Sequence, residues 1–189
     1  MKPLLFATTN TVKFRTGHAI CQKYGVVLEQ LTALDIPEIQ AHDGEEVARD
    51  KAQRAFEVVQ KPLLISDDSW IIPGLKGFPG PFMKFVNQMF TLQDWLRLTT
   101  PLSDRQIILR QILVYQDHEG QKLFSTDVEG LLLAEPRGHN KANLMSITSF
   151  DDGKHSVAEM HADGRSSIAA SSKPTAWHDL CDWYKAHGA

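Results

Sequence analysis

One stretch constrains the chain more than any other: Leu63 to Phe85, which reads LLISDDSW, then IIPGLKGFPGPFMKF. The short apolar run Leu63–Ile65 predicts a buried strand, although a run this brief is ambiguous by periodicity alone. It empties into two adjacent acids, Asp67 and Asp68. Carboxylates at the end of a buried strand are costly to desolvate unless a cation or a hydrogen-bond donor answers them. A turn rich in glycine and proline follows. Pro81, a favoured first helical residue, then opens a helix with Lys84 in its first turn. Taken alone, the segment also reads as an acidic loop before a solvated helix.

The remaining totals set the frame. With 189 residues, 42% of them hydrophobic, the chain is expected to form one domain over 1–189 with a substantial core. A formal charge of −3 gives no net basic field, which argues against nucleic acid as the partner. The two cysteines, Cys21 and Cys181, form neither a C-x-x-C motif nor a disulfide framework, so reduced thiols in a cytoplasmic protein are expected. The opening MKPLLFA lacks the apolar length of a signal peptide, and no stretch is long enough to span a membrane.

In chain order, Leu4–Phe6 predicts a strand ending at ATTN, and Thr11–Tyr24 a helix with Val12, Thr16, Ala19, Ile20 and Lys23 on one face. Asn10 suits the N-cap and Gly25 the C-terminal stop. Lys13 opposes the macrodipole at that helix start, which makes sense if an anion docks on the free N–H groups there. Val26–Leu31 predicts a strand, and the turn after it presents Glu38. Asp43–Gln60 predicts a helix with Ala48, Ala52, Ala55, Phe56 and Val59 inward and Lys51 at the border of that stripe. Beyond Lys84, Thr91–Leu98 predicts a short helix. Gln106–Gln116 reads as either strand or helix, and the DHEG turn followed by the run Lys122–Leu133 favours a hairpin of two long strands. One short strand is expected near Met145–Phe150, within a loop, and a last helix over Pro174–His187. Strand–helix alternation followed by a hairpin predicts a mixed α/β sheet.

The unusual residues are Asn10 and Lys13 at one helix start, Lys84 at another, Lys51 on a core edge, and the acids Glu38, Asp67 and Asp68. Lysines at helix N-termini suit phosphate oxygens. Carboxylates without histidine or cysteine suit a hard cation such as Mg²⁺. Together these are the parts needed to hydrolyse a nucleotide polyphosphate, if the three segments converge. Other sets of parts are missing. There is no P-loop, dinucleotide fingerprint, H-E-x-x-H or G-x-S-x-G, and His155 and His161 lack companions at zinc spacing. Nor does SDDS have the D-x-D spacing of an aspartyl-phosphate hydrolase.

These motifs resemble the inosine/xanthosine triphosphate pyrophosphatases. TTNTVK at Thr8–Lys13 is similar to the family's T-x-N-x-x-K. Asp35–Gln40 resembles its glutamate segment and Glu46–Ala52 its lysine-bearing helix. SDDS at Ser66–Ser69 is similar to its paired acids, and GFPGPFMK at Gly77–Lys84 to its turn ending in lysine. EPRG at Glu135 and AEM at Ala158 follow in order. The resemblance implies an elongated α/β fold with a central mixed sheet flanked by helices, two lobes around a cleft, and a cytoplasmic homodimer. It also implies a nucleoside triphosphate substrate cleaved between its α and β phosphates with Mg²⁺, for which Mn²⁺ is the natural substitute. Thr8, Asn10, Lys13, Lys51, Lys84 and Ser69 would then contact substrate, with Lys51 also counted as catalytic. Glu38, Asp67 and Asp68 would hold metal, and Asp68 would orient or deprotonate the water.

The departures lie where the family reads the base. ANLMSI at Ala142–Ile147 replaces an aromatic–glycine–aromatic–Asp–Pro loop. Arg165 stands for a lysine, and IAASSK at Ile168–Lys173 replaces Ser-His-Arg. Trp70 follows the acids where the family has something small, and is expected to stack on the base. Altered or relaxed base choice follows, since buried hydrogen bonds to the base edge make discrimination steep. The alternative from another class is a nucleotide-binding protein of the same fold that has lost turnover.

Overall fold

The computed structural model describes residues 2–34, 36–166, 168 and 174–187. Two compact units emerge, both discontinuous in sequence. The first comprises 1–68, 111–126 and 173–189, and the second 69–110 and 127–172. The strands form a mixed sheet, as the strand–helix alternation predicts.

In the first unit, β1 (Leu4–Ala7) is followed by α1 (Thr11–Lys23) and β2 (Leu28–Leu31). Next come α2 (Gly44–Val59) and β3 (Leu63–Ile71). β1 pairs in parallel with β2 and with β3, in registers such as Leu4 with Leu28 and Leu5 with Leu63. Such parallel pairing needs the crossover helices that α1 and α2 supply. Asn10 caps α1, its Oδ1 accepting from the N–H groups of Val12 (2.9 Å) and Lys13 (3.2 Å). Gly25 stops α1 at φ +71°, an angle that glycine adopts without strain. α2 buries Ala48, Ala52 and Ala55 against Leu63, Ile65, Ile112 and Val114. Alanines there let the helix approach the sheet closely.

The hairpin of β5 (Gln106–Gln116) and β6 (Gln121–Leu132) supplies two more strands. Among the described residues the sheet order is β2-β1-β3-β5-β6-β7, with β4 (Pro79–Gly80) on β3 and β7 (Thr148–Ser149) on β6. The second unit holds α3 (Met83–Met89) and α4 (Leu92–Thr99) around Trp70, Ile72, Trp95, Ile107 and Leu109, with α5 (Val157–Ala162) against residues 143–149. Arg105 is structural here. Its guanidinium donates to the carbonyls of Thr99, Leu132 and Leu133.

Several local expectations are corrected. β3 does not stop before the acids but runs through them to Ile71. Pro81 lies two residues ahead of α3, although Lys84 does fall in that helix's first turn. Residues 143–147 form a turn of 3-10 helix, leaving only Thr148 and Ser149 as strand. α5 was not expected at all, yet Ser156 and Glu159 form a reciprocal capping box at its start. The buried face of α1 is Thr16, Gly17, Ile20 and Cys21, so Ala19 and Lys23 point outward.

That rotation of α1 has a steric cause. α6 (Ala176–His187) packs on α1, and a Cβ on Gly17 would sit inside the Trp177 ring. Trp177 is 2% exposed and edge-on to Phe6, with ring centres 5.2 Å apart. Nearby, the Cys181 thiol donates to Cys21 Sγ at 3.6 Å, and both cysteines are free, in keeping with reduced thiols. Gly17→Ala gains about 1 kcal/mol of helix propensity but overpacks the α1–α6 contact, which costs about 1–3 kcal/mol. We expect a lower urea midpoint for Gly17→Ala; an unchanged or raised midpoint would show that α6 yields freely.

Candidate active site

Along a strand, successive side chains point to opposite faces, and the two acids of β3 use this. Leu64 belongs to the α1-side core, with Ile20, Cys21 and Leu113. Leu63 and Ile65 belong to the α2-side core. By that alternation Asp68 falls on the α1 face and Asp67 on the α2 face, and Asp68 meets a cation from the helix on its own side. Lys13 of α1 bonds Asp68 Oδ2 at 3.1 Å. Lys51 of α2 is paired with Glu38, whose carboxylate accepts from its ammonium. Asp67 lies in the field of both lysines, and its Oδ1 accepts from the backbone N–H of Asp68 at 2.9 Å.

The five groups form one electrostatic unit. Burial disfavours the Lys13 charge, but Asp68, Asp67 and Glu38 together outweigh it and hold the ammonium above its ordinary pKa. For Asp67 burial wins. Desolvation pushes its carboxyl up, against the pull of Lys13 and Lys51 and with the added push of Asp68 and Glu38. Asp68 Oδ1 is buried and has no hydrogen-bond partner among the described residues.

The structure therefore brings Lys13, Glu38, Lys51, Asp67 and Asp68 together. Thr8 and Asn10 stand at the entry to α1, where the Asn10 N–H donates to Thr8 Oγ1 at 3.1 Å. Two N–H groups expected to face an anion are instead taken by Asn10 Oδ1. Its Nδ2 remains as the donor end. Lys84, Ser69, Trp70 and Arg165 belong to the second unit. Lys84 is exposed in the first turn of α3, and Ser69 is 4% exposed within β3. Arg165 donates to Asp163 at 3.0 Å. Trp70 differs from expectation. It is 8% exposed and packs in the core, its ring centre 5.9 Å from that of Phe150. β3 continues past the acids and turns Trp70 inward, which leaves its indole little free face for a base.

The base-reading segments differ likewise. Leu144, Ser146 and Ile147 are buried, and Asn143 donates to the carbonyl of Phe90 at 3.0 Å. Of Ile168–Lys173, all but Ile168 lie outside the described residues. Sequence reasoning missed Gln111, an amide inside the apolar run of β5 whose Oε1 has no partner among the described residues. Its signal was the polar pair Arg110-Gln111 breaking the run IILRQILV.

The donor set is one for a hard cation, all carboxylate oxygen, with one buried oxygen of Asp68 left over. Among the described residues no three acidic, histidine or cysteine side chains close into a cage. Mg²⁺ is commonly held by one or two carboxylates together with substrate phosphates, so the residues present fit it.

A mixed α/β sheet with paired acids on its central strand and lysines from the flanking helices defines a class of phosphate-handling α/β enzymes. Comparison with known proteins narrows this. The family model described as "Ham1 family" matches residues 4–183. A dITP/XTP pyrophosphatase of Hyperthermus butylicus is 25% identical over 98% of this chain and 96% of its own. One of Saccharolobus solfataricus is 31% identical over 81% and 79%. An inosine triphosphate pyrophosphatase of Tuber melanosporum is 27% identical over 97% of both. The solved HAM1 protein of Coxiella burnetii superposes with TM-score 0.76 at 20% identity, covering 98% of this chain and 100% of that one. The chain belongs to the Ham1 family, and with it to the hydrolases.

The upward push on Asp67 has a consequence for folding. A carboxyl whose pKa is higher in the folded state favours folding when protonated, and that advantage is lost as pH rises from the unfolded value, about 3.9, through the folded one. At neutral pH the charged Asp67 therefore weighs against the fold. Asp67→Asn keeps an oxygen for the Asp68 N–H and is expected to raise the metal-free melting temperature at pH 7, with the gain shrinking towards pH 4. Thermal melts at the two pH values check this, and a loss of stability at pH 7 would show that the Lys13 and Lys51 attractions dominate.

Proposed function

We propose that the chain is a nucleoside triphosphate pyrophosphatase, converting NTP or dNTP to the monophosphate and pyrophosphate with Mg²⁺, Mn²⁺ serving as a substitute. The observation that carries this is the coupled set of Lys13, Lys51, Glu38, Asp67 and Asp68 on the central strand, its two helices and the loop before α2. The names of the relatives support the same chemistry and a role in clearing non-standard nucleotides.

The lysines have a double use in this reading. Without nucleotide they neutralise the acids. With nucleotide their ammonium groups face phosphate oxygens, where they stabilise charge moving towards the leaving pyrophosphate. Asn10 Nδ2 and the start of α1 contribute neutral donors to the same oxygens, and Thr8 and Lys84 keep the phosphate roles given by the resemblance. Asp68, with one oxygen on Lys13 and the other unpartnered, takes the proton of the attacking water. Glu38, Asp67 and Asp68 would hold the cation, which when bound supplies further charge neutralisation on the phosphates. Base choice differs from that of the named relatives in this proposal, because the segments at 142–147 and 168–173 lack their usual polar and aromatic groups. A cytoplasmic homodimer acting on free nucleotides, not on nucleic acid or at a membrane, completes the reading.

A screen of pyrophosphate release across standard and deaminated nucleoside triphosphates, with Mg²⁺, Mn²⁺ or no metal, tests the proposal. Metal-dependent release is expected, without a steep preference for inosine and xanthosine triphosphates. Nucleotide binding without release would favour a binding protein that has lost turnover. Asp68→Asn is expected to leave binding nearly intact and to lower kcat by about 10²–10⁴. Near-normal turnover in that variant would remove Asp68 from the role of base.

A further inference from the structure

Gln111 is 3% exposed, in a strand whose neighbours are Ile107, Leu109, Ile112 and Leu113, and its Oε1 finds no donor among the described residues. Burying an unsatisfied amide oxygen is costly, and an apolar residue would fill the same space without that cost. Gln116, the other buried glutamine of β5, also has an Oε1 without a partner among the described residues, but its amide nitrogen has a local task. Its Nε2 donates to the carbonyls of Asp117 and Gly120 and closes the hairpin turn. Gln111 has no such local task.

Strand geometry says what it faces. β3 and β5 are neighbours in the sheet. Leu64 of β3 shares a core with Leu113 and Tyr115 of β5, and Trp70 and Ile72 share one with Ile107 and Leu109. Even-numbered side chains of β3 and odd-numbered side chains of β5 therefore lie on one face, before and after the acids alike. Asp68 and Gln111 both belong to that face. The strands also run in opposite senses in this matching, with Asp68 and Gln111 each lying between the two sets of core residues on its own strand. They are the residues at which the first unit ends on β3 and resumes on β5. On the far side, Leu132 N–H to Arg105 O and Asp117 N–H to Gly120 O fix the β5–β6 register, which places Thr126 opposite Gln111.

Two buried acceptor oxygens, Asp68 Oδ1 and Gln111 Oε1, thus share a face of adjacent strands, both unpartnered. Phosphate oxygens ionised at neutral pH cannot satisfy them, because they donate nothing. A water molecule can, having two O–H donors. We propose that Gln111 is a positioning residue for the hydrolytic water, which donates one O–H to Asp68 and the other to Gln111. This rests on the function proposed above. With both O–H bonds engaged, a lone pair of the water oxygen is left to attack phosphorus. Its O–P bond forms as the bridging P–O bond to the leaving pyrophosphate breaks, and its proton passes to Asp68. Gln111 keeps hold of the remaining O–H throughout. A neutral amide does this without repelling the triphosphate, as a second carboxylate on that face would.

Steady-state pyrophosphate release by the wild type, Gln111→Met and Gln111→Leu, each with its melting temperature, tests the assignment. Methionine fills nearly the same volume without an acceptor, and leucine is a second apolar replacement should methionine pack badly. The expected result is a fall in kcat of about 10–100-fold, with KM within about threefold and melting temperature unchanged or raised. Unchanged kcat in either folded variant would overturn the proposal and leave Gln111 a packing residue. A raised KM with kcat preserved would also overturn it, assigning Oε1 to a donor on the sugar or base. Absence of pyrophosphate release from the wild type itself would instead sink the underlying pyrophosphatase reading, and this assignment with it.

Discussion

The structure turns on compensation between adjacent carboxylates and two ammonium groups brought from different helices. β3 could not continue from Ile65 to Ile71 through two half-buried acids if both charges were left alone, since isolated carboxylates in a low-dielectric interior cost several kcal/mol each. The pleat sends Asp68 to the α1 side, where Lys13 meets it, and Asp67 to the α2 side, under the fields of Lys13 and Lys51. The crossover helices that make the parallel sheet are therefore also what make its central strand tolerable. Fold and site cannot be separated here.

How much of this the sequence revealed depends on the range of the interaction concerned. Asn10 as a cap and Gly25 as a stop are decided within three or four residues, and both are found as read. The alanine stripe of α2 and the hairpin of β5 and β6 are periodic over ten residues or more, and they too are found. The length of β3 was not readable, because what extends it is Lys13, more than fifty positions away. The buried face of α1 was misjudged for the same reason. Gly17 faces inward only because Trp177 needs its space, and those two residues meet through tertiary packing alone.

Two misses were of another kind, since their signals were local. Ser156-x-x-Glu159 is a capping box written in the sequence, and α5 begins on it. Gln111 interrupts an apolar strand and should have drawn the same attention as the acids. Trp70 is the reverse case. Its position after Asp68 suggested exposure towards a ligand, but a strand that runs on past the acids carries its side chain back into the core. The convergence of Lys13, Glu38, Lys51, Asp67 and Asp68 came through motif order, not through any periodicity, and their mutual electrostatic influence is what coordinates add to it.

The charge balance of the site explains why so few groups suffice. Three carboxylates against two ammonium groups leave one negative charge over, and that excess falls where burial already makes Asp67 reluctant to ionise. Such a site is poised between two arrangements. In one, the lysines answer the acids, as Lys13 does Asp68 and Lys51 does Glu38. In the other, which the proposed chemistry requires, they turn to phosphate, and the acids need a different cation. Neither change is favourable without the other: phosphate alone would strand the carboxylates, and a divalent ion alone would strand the lysines beside it. Coupled, the exchange keeps every buried charge paired. On the reading proposed here, the same residues that stabilise the ligand-free fold therefore demand that nucleotide and metal arrive together.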